Sequence, residues 1–265
     1  DLKFKEGQEQ ALSKLLEVYT HLGKQDEALK CLKEQEAMAM AIGTSQSTIN
    51  LLSSKAKTSD SLSEYEKSIE CRIEQLKLAR DANDVRAEIY ISYQLGFSYF
   101  MISDHKNGIE SLVRALTLAR KIGDRQLEGQ SLFSLGQQFN LLGGYEKALE
   151  FYGQFLNISL EISDRQSEAT ALRSIASALI GLEDYAQAVN CLEKALSFAK
   201  ELDSQVDQVI TLIGFAELYK NQNCIELALD YCQQALAIAT DLGIPLKAEC
   251  ETLLAKLEQS ADPHP

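Results

Sequence analysis

Residues 128–167 read EGQSLFSLGQQFNLLGGYEKALEFYGQFLNISLEISDRQS and contain the pattern that decides the fold. In the first half, apolar residues recur three or four positions apart, at Leu132, Leu135 and Phe139. That spacing places them on one face of an α-helix. The second half repeats the spacing after two glycines at 143–144, where glycine can end a helix in a left-handed conformation. The stretch therefore predicts two antiparallel helices joined by a tight turn.

The same forty-residue unit recurs six times along the chain without insertion or deletion. Such a fixed period is typical of stacked repeats, in which each unit buries its apolar face against its neighbours. We therefore predict an all-α solenoid of helix pairs spanning residues 1–247. One column of the stack contains only small residues, which allow close helix contacts: Ala39, Ala79, Ala119, Ser159, Ala199 and Ala239. The predicted repeats are residues 8–47, 48–87, 88–127, 128–167, 168–207 and 208–247.

The second repeat is degenerate. Lys55 and Ser59 occupy columns that are apolar in the other repeats, and the surrounding run is rich in Ser and Thr, which are poor helix formers. We predict that its first helix, Ile49–Asp60, is held weakly. Two interpretations stay open: this helix is a hinge after the first repeat, or it belongs to a divergent repeat with a shifted register.

The chain after the sixth repeat is predicted to close the array. Residues 248–258 restart the first-helix pattern with Leu253, Leu254 and Leu257, which predicts a capping helix over the last repeat. Residues 259–265 are predicted to form a disordered tail.

Charge and composition exclude several classes of function. The net charge is −13, and 20 acidic but only 8 basic residues lie in residues 128–265. Because such an acidic surface repels phosphate backbones, we expect no nucleic-acid partner. The acidic half would instead favour a protein partner with basic residues. No apolar run approaches the roughly 18 residues of a membrane span, so we expect no membrane partner. We expect a cytoplasmic protein with reduced thiols.

No motif indicates catalysis. The six cysteines form no C-x-x-C pair, and the three histidines are far apart, so no metal site is predicted. The sequence contains no Gly-rich phosphate loop and no nucleophile–base pair. We therefore expect no enzyme activity and no cofactor.

The turn of the fourth repeat resembles the L-G-x-Y-x-x-A-L turn of tetratricopeptide repeats (TPRs). The matching residues are Leu142, Gly143, Gly144, Tyr145, Glu146, Lys147, Ala148 and Leu149. The repeat has forty residues rather than the commoner thirty-four, as in Pins-type scaffolds and bacterial TPR signalling proteins, which it resembles. This resemblance implies a right-handed superhelix of about six repeats in which the first helix of each repeat lines a concave groove.

The resemblance also implies which columns face that groove. In the third repeat all five groove positions are apolar. The first helix of this repeat is therefore apolar almost all round. Exposed apolar patches usually mark interaction sites. Alternatively, these residues compensate for the poorly packed second repeat, or the chain's own tail covers them. The predicted partner-binding residues are Tyr90, Tyr93, Phe97, Phe100, Met101, Gln130, Phe133, Gln137, Asn140 and Arg173. Charged residues at groove columns alternate in sign: Glu17, Lys57, Asp60, Arg173, Glu217 and Lys220.

Two functions remain in view at this point. The first is a non-catalytic scaffold that binds a peptide or a helical segment of a partner protein in its groove. The second is a regulatory or sensory segment of a larger signalling protein that controls its own effector domain. The chain begins at Asp1 rather than Met, which favours a part of a longer protein.

Overall fold

All regular structure in the computed structural model is helical. The model describes residues 2–261, and within that range it contains thirteen α-helices and no strand, which confirms the predicted all-α repeat solenoid. The helices are α1 (Leu2–His21), α2 (Gln25–Ile42), α3 (Ser45–Ser61), α4 (Tyr65–Asp81), α5 (Val85–Met101), α6 (His105–Ile122), α7 (Arg125–Leu141), α8 (Tyr145–Glu161), α9 (Arg165–Gly181), α10 (Tyr185–Glu201), α11 (Gln205–Asn221), α12 (Ile225–Leu242) and α13 (Leu246–Ala261).

The helices group into two units. Unit 1 comprises Asp1–Leu127 and unit 2 comprises Glu128–Pro265. Within each unit, consecutive helices are joined by two or three residues and pack against each other. Connections this short make consecutive helices adjacent and antiparallel.

A turn occurs every twenty residues, which is half of the forty-residue period of the sequence repeat. Each helix junction contains one residue with a positive φ, and these residues lie twenty positions apart along the chain. Glycine, Asn and Asp adopt this left-handed conformation most readily, and a helix commonly ends with such a residue. The twelve residues are Gly23, Gly43, Ser63, Asn83, Ser103, Gly123, Gly143, Ser163, Glu183, Asp203, Asn223 and Gly243.

Side chains after these turns start the next helix. The Asp84 carboxylate accepts a hydrogen bond from the Ala87 N–H at 3.0 Å, and Asp164 accepts one from the Ser167 N–H at 3.1 Å. Each bond satisfies a backbone donor that has no partner inside its helix. A capping side chain that follows the turn therefore marks the start of these two helices.

Small residues bring the helices of unit 2 close together. Ala148, Ala188 and Ala228, which share a column, are fully buried. At Gly136 on α7 a Cβ atom would lie 2.5 Å from the Tyr152 ring on α8, so only glycine allows this approach. The close-packed interior predicted from the columns of small residues is thus present in unit 2.

The degenerate second repeat forms a complete helix in unit 1. Helix α3 begins at Ser45, four residues before the predicted start, because the Thr44 hydroxyl accepts a hydrogen bond from the Ser47 N–H at 3.2 Å. Four of its hydroxyl residues, Ser47, Ser54, Thr58 and Ser59, are buried, and Thr58 donates to the Ser54 carbonyl at 2.9 Å. Poor intrinsic helix propensity is here overridden by hydrogen bonding and packing. Whether α3 acts as a hinge stays a prediction.

The last helix is longer than predicted. Helix α13 extends from Leu246 to Ala261, so residues 259–261 of the predicted tail are helical, while residues 262–265 lie outside the described residues. Cys250, Leu253 and Leu257 of α13 are buried against α11 and α12. Among the described residues, no helix has the length and apolarity needed to cross a bilayer.

Candidate partner-binding surfaces

An exposed apolar row runs along α5 in unit 1. Tyr90, Phe97 and Met101 are 51%, 52% and 46% exposed. Their spacing of seven and four residues places them on one side of the helix. We call these three residues the α5 stripe. The opposite side of α5 is buried through Ile91 and Leu95, so this helix is apolar on both sides.

The other two apolar residues predicted on α5 are partly buried. Phe100 covers Gly108 at the start of α6, where a Cβ atom would lie 2.7 Å from the ring, and its ring centroid is 6.0 Å from that of His105. Tyr93 packs against the cluster that contains Ile89 and Ala115. These two side chains therefore stabilise the contact between α5 and α6, whereas the α5 stripe remains accessible.

The predicted residues of unit 2 have several different environments. Gln130 and Gln137 on α7 are exposed. Phe133 is half-buried against α8, with its ring centroid 5.2 Å from that of Phe155. The Asn140 amide donates to the Ser177 hydroxyl on α9 at 3.2 Å. Unit 2 thus presents mainly amide groups at these positions.

Arg173, the last predicted residue, is part of a buried ion pair. Its guanidinium lies 2.9 Å from the Asp207 carboxylate on α11, and both side chains are largely buried. Burial alone would raise the pKa of Asp207, but hydrogen bonds from Ser204 and Gln166, together with Arg173, hold it below its ordinary value. Arg173 therefore joins α9 to α11.

A polar cavity of about 490 Å³ in unit 1 was not predicted from the sequence. It lies mainly between α1 and α3, and we call it the α1–α3 cavity. A signal for it was present, since Ser53 and Lys57 are the residues of the second repeat in the columns of Tyr93 and Phe97. The cavity is lined by Ser13, Leu16, Glu17, Thr20, His21, Asn50, Ser53, Ser54, Lys57, Thr58, Asp60, Arg72 and Gln94.

Potential metal ligands are dispersed. Within residues 2–261, no group of three or more His, Cys, Asp or Glu side chains is arranged to hold a metal ion. Burial raises the pKa of the Cys232 thiol to about 11, and that thiol donates to the Cys250 carbonyl at 3.4 Å. A neutral, buried thiol is a packing residue rather than a nucleophile.

The fold and its exposed helix faces define the class of helical-repeat proteins. The model of the tetratricopeptide repeat family matches residues 85–161, 141–201 and 167–241, which together cover more than half of the 265 residues. The chain therefore belongs to the tetratricopeptide repeat family. No curated protein sequence matches it.

Solved structures with the same fold come from different functional settings. A signal transduction ATPase with numerous domains from Pyrococcus horikoshii, which has a tetratricopeptide repeat sensor, is 18% identical, with a TM-score of 0.76 over 96% of this chain and 39% of that chain. BtubC from P. vanneervenii is 18% identical, with a TM-score of 0.66 over 90% and 92%. NprR, bound to its cognate peptide NprX, is 14% identical, with a TM-score of 0.64 over 93% and 71%.

These similarities concern the fold. The chain spans well under half the length of the Pyrococcus protein. The function of the chain therefore has to be argued from its own surfaces.

Proposed function

We propose that the protein is a non-catalytic interaction scaffold that binds a peptide or helical segment of a partner protein through the α5 stripe. The observation that carries this proposal is the half-exposed row of Tyr90, Phe97 and Met101 on a helix whose other side is already buried. Aromatic and Met side chains are enriched among the residues that contribute most to protein interfaces. Their spacing matches an amphipathic helix or an extended peptide laid along α5.

Two further features support a peptide or protein as the partner. NprR, which shares the fold, binds a peptide. The strongly acidic charge of residues 128–265 favours a partner segment with basic residues, which would be attracted before contact.

The cysteines of the chain are free thiols, which fits the reducing cytoplasm that we propose as its location.

Replacement of Phe97 by Ala tests the proposal. We expect peptides selected from a random library against the full chain to bind at least tenfold more weakly to Phe97→Ala, because one anchor side chain is worth about 2 kcal/mol or more. The melting temperature should change little, since the side chain is half-exposed. Calorimetry and thermal unfolding measure both quantities.

Val113 on α6 provides the matched control. It is an apolar residue of similar exposure, 45%, on the second helix of the same repeat. Val113→Ala should leave peptide affinity unchanged. If Phe97→Ala instead lowers the melting temperature strongly and leaves binding intact, Phe97 is a core residue and the proposal is wrong.

A second candidate function is a sensor or regulatory segment of a larger protein. It is favoured by the Pyrococcus protein, in which repeats of this fold form the sensor of a longer signalling ATPase. In that case the α5 stripe would bind an effector domain of the same polypeptide. Binding of the chain to a separately expressed flanking domain, lost in Phe97→Ala, would support this function over binding of a separate partner.

A further inference from the structure

The α1–α3 cavity is lined mainly by residues with polar side chains, although carbon atoms contribute about half of its surface. Leu16 is the one apolar residue among those that line it, and the others have hydroxyl, amide or charged side chains. Most small-molecule sites are mainly apolar with a few polar groups. An apolar ligand would leave the unbonded lining groups, such as the Ser53 hydroxyl and the Gln94 amide, without partners, so the lining favours a ligand that forms hydrogen bonds.

The charges that line the cavity are already paired with each other. Lys57 lies 2.7 Å from Glu17, and the buried Arg72 lies 2.5 Å from Asp60. The charges of these two cations and two carboxylates cancel. A charged ligand would have to break one of these pairs, which disfavours it relative to an uncharged one.

Several hydrogen-bonding groups of the cavity have no partner in the protein. Arg72 is 3% exposed, and its Nε–H has no acceptor among the described residues, although its two terminal nitrogens are bonded to Asp60, Ser68 and Ser98. The Ser53 hydroxyl and the Gln94 amide are partly exposed at the cavity wall and form no hydrogen bond within residues 2–261. A buried polar group normally has a hydrogen-bond partner. A ligand in the cavity would provide one for Ser53 and Gln94, whereas the Arg72 Nε–H is enclosed by the protein and does not reach the cavity.

The sequence of the second repeat accounts for the cavity. Ser13 and Ser53 occupy the column that holds Tyr93 in the third repeat and Phe133 in the fourth. Small hydroxyl residues at these two positions leave space that aromatic rings would fill. The cavity therefore lies where the first and second repeats have serine in place of an aromatic residue.

We propose that the α1–α3 cavity binds an uncharged, hydroxyl-rich small molecule of the size of a mono- or disaccharide. Its volume of about 490 Å³ lies within the range of ligand pockets, roughly 300–1,000 Å³. Hydroxyl groups both donate and accept, so they match the mixture of amide, hydroxyl and guanidinium groups around the cavity. No residue of the α5 stripe lines the cavity, although Gln94, which does line it, lies between Tyr90 and Phe97 on the same helix.

Calorimetric titration of the full chain tests this assignment. The neutral probes are glucose, N-acetylglucosamine, trehalose and myo-inositol, and glucuronate is the charged counterpart of glucose. We expect saturable binding of at least one neutral probe, and weaker binding of glucuronate than of glucose. Ser53→Leu places a branched apolar side chain in the cavity and should weaken the binding at least tenfold.

Thr48→Leu is the matched control, since Thr48 is an exposed residue on the same helix that does not line the cavity. It should bind the probe with unchanged affinity. If Ser53→Leu lowers the melting temperature, Gln94→Leu replaces it, because Gln94 lies on α5 and its amide has no bond to lose.

Three results would overturn the proposal. The first is no saturable binding of any neutral probe, and the second is binding that survives both Ser53→Leu and Gln94→Leu. The third is tighter binding of glucuronate, or of the uncharged peptide acetyl-Ser-Asn-Gly-Ser-amide, than of every neutral probe. Loss of peptide affinity in Phe97→Ala with intact probe binding would separate this site from the α5 stripe.

Discussion

Single residues without side chains set how closely the helices approach. At Gly136 a Cβ atom would lie 2.5 Å from Tyr152, whose ring is almost fully buried and has no space to move. At Gly153, on α8, a Cβ atom would meet nothing within 4 Å. The helix contact therefore requires glycine at position 136 but not at position 153, although both residues lie inside helices.

Alanine at these two positions should have opposite effects on stability. Gly136→Ala forces Tyr152 or the helix to shift, and we expect a loss of about 1–3 kcal/mol in the free energy of unfolding. Gly153→Ala should instead gain up to about 1 kcal/mol from helix propensity. Urea unfolding followed by circular dichroism measures both. Equal effects of the two substitutions would show that the contact with Tyr152 is not tight.

Pairs of helices are joined by polar contacts as well as by apolar packing. Arg173 on α9 and Asp207 on α11 form a buried pair, and one guanidinium nitrogen of Arg173, Nη1, has no partner among residues 2–261. Removing one partner of a buried pair costs more than removing both, because it leaves a charge without compensation. The energetic weight of this contact is therefore tested by comparing single and double substitutions.

We expect Asp207→Asn to lower the free energy of unfolding by about 3–5 kcal/mol. The double substitution Asp207→Leu with Arg173→Met should recover much of that loss, because no buried charge remains. If Asp207→Asn costs less than about 1 kcal/mol, the pair does not stabilise the contact between α9 and α11.

The same pair makes stability depend on pH. The pKa of Asp207 is lower in the folded protein than in the unfolded chain, where it is about 3.9. Its contribution is therefore complete well above pH 4 and is lost as the pH falls through the folded value. Acid titration of unfolding should show a smaller loss of stability below pH 4 in the double variant than in the natural chain.

At the scale of the molecule, each repeat depends on its neighbours. Leu257 of α13 is fully buried against α11 and α12, and no further repeat follows α13 within the described residues. In a stack of this kind, stability is approximately a sum of repeat and nearest-neighbour terms. Damage at one end should therefore remain local.

Leu257→Asp provides the test, since it buries a charge in the last interface. We expect hydrogen exchange to accelerate at least tenfold for the amides of α12 and α13, while those of α1–α4 keep their protection. A uniform loss of protection along the chain would mean that the repeats unfold as one cooperative body. Leu254→Asp, at a less buried position on α13, is the matched control.

The sequence predicted the fold well because the period, the small-residue columns and the turn residues are local signals that repeat. It did not predict which of the aromatic residues on α5 would be accessible. Tyr90, Tyr93, Phe97 and Phe100 satisfy the same periodic rule, yet Tyr93 and Phe100 pack against α6. Propensity likewise does not show that hydroxyl groups of α3 find partners inside the helix stack, as Thr58 does at the Ser54 carbonyl.

By itself, the sequence determined the helix-pair repeat and the positions of its turns. These follow from spacing and from residues such as Gly143 that favour a left-handed turn, so they need no information from distant parts of the chain. Only the tertiary structure decided which side chains remain accessible, how Arg72 is neutralised by Asp60, and where the α1–α3 cavity lies. Exposure and pairing depend on the neighbouring helix, and that neighbour is specified only once the chain has packed.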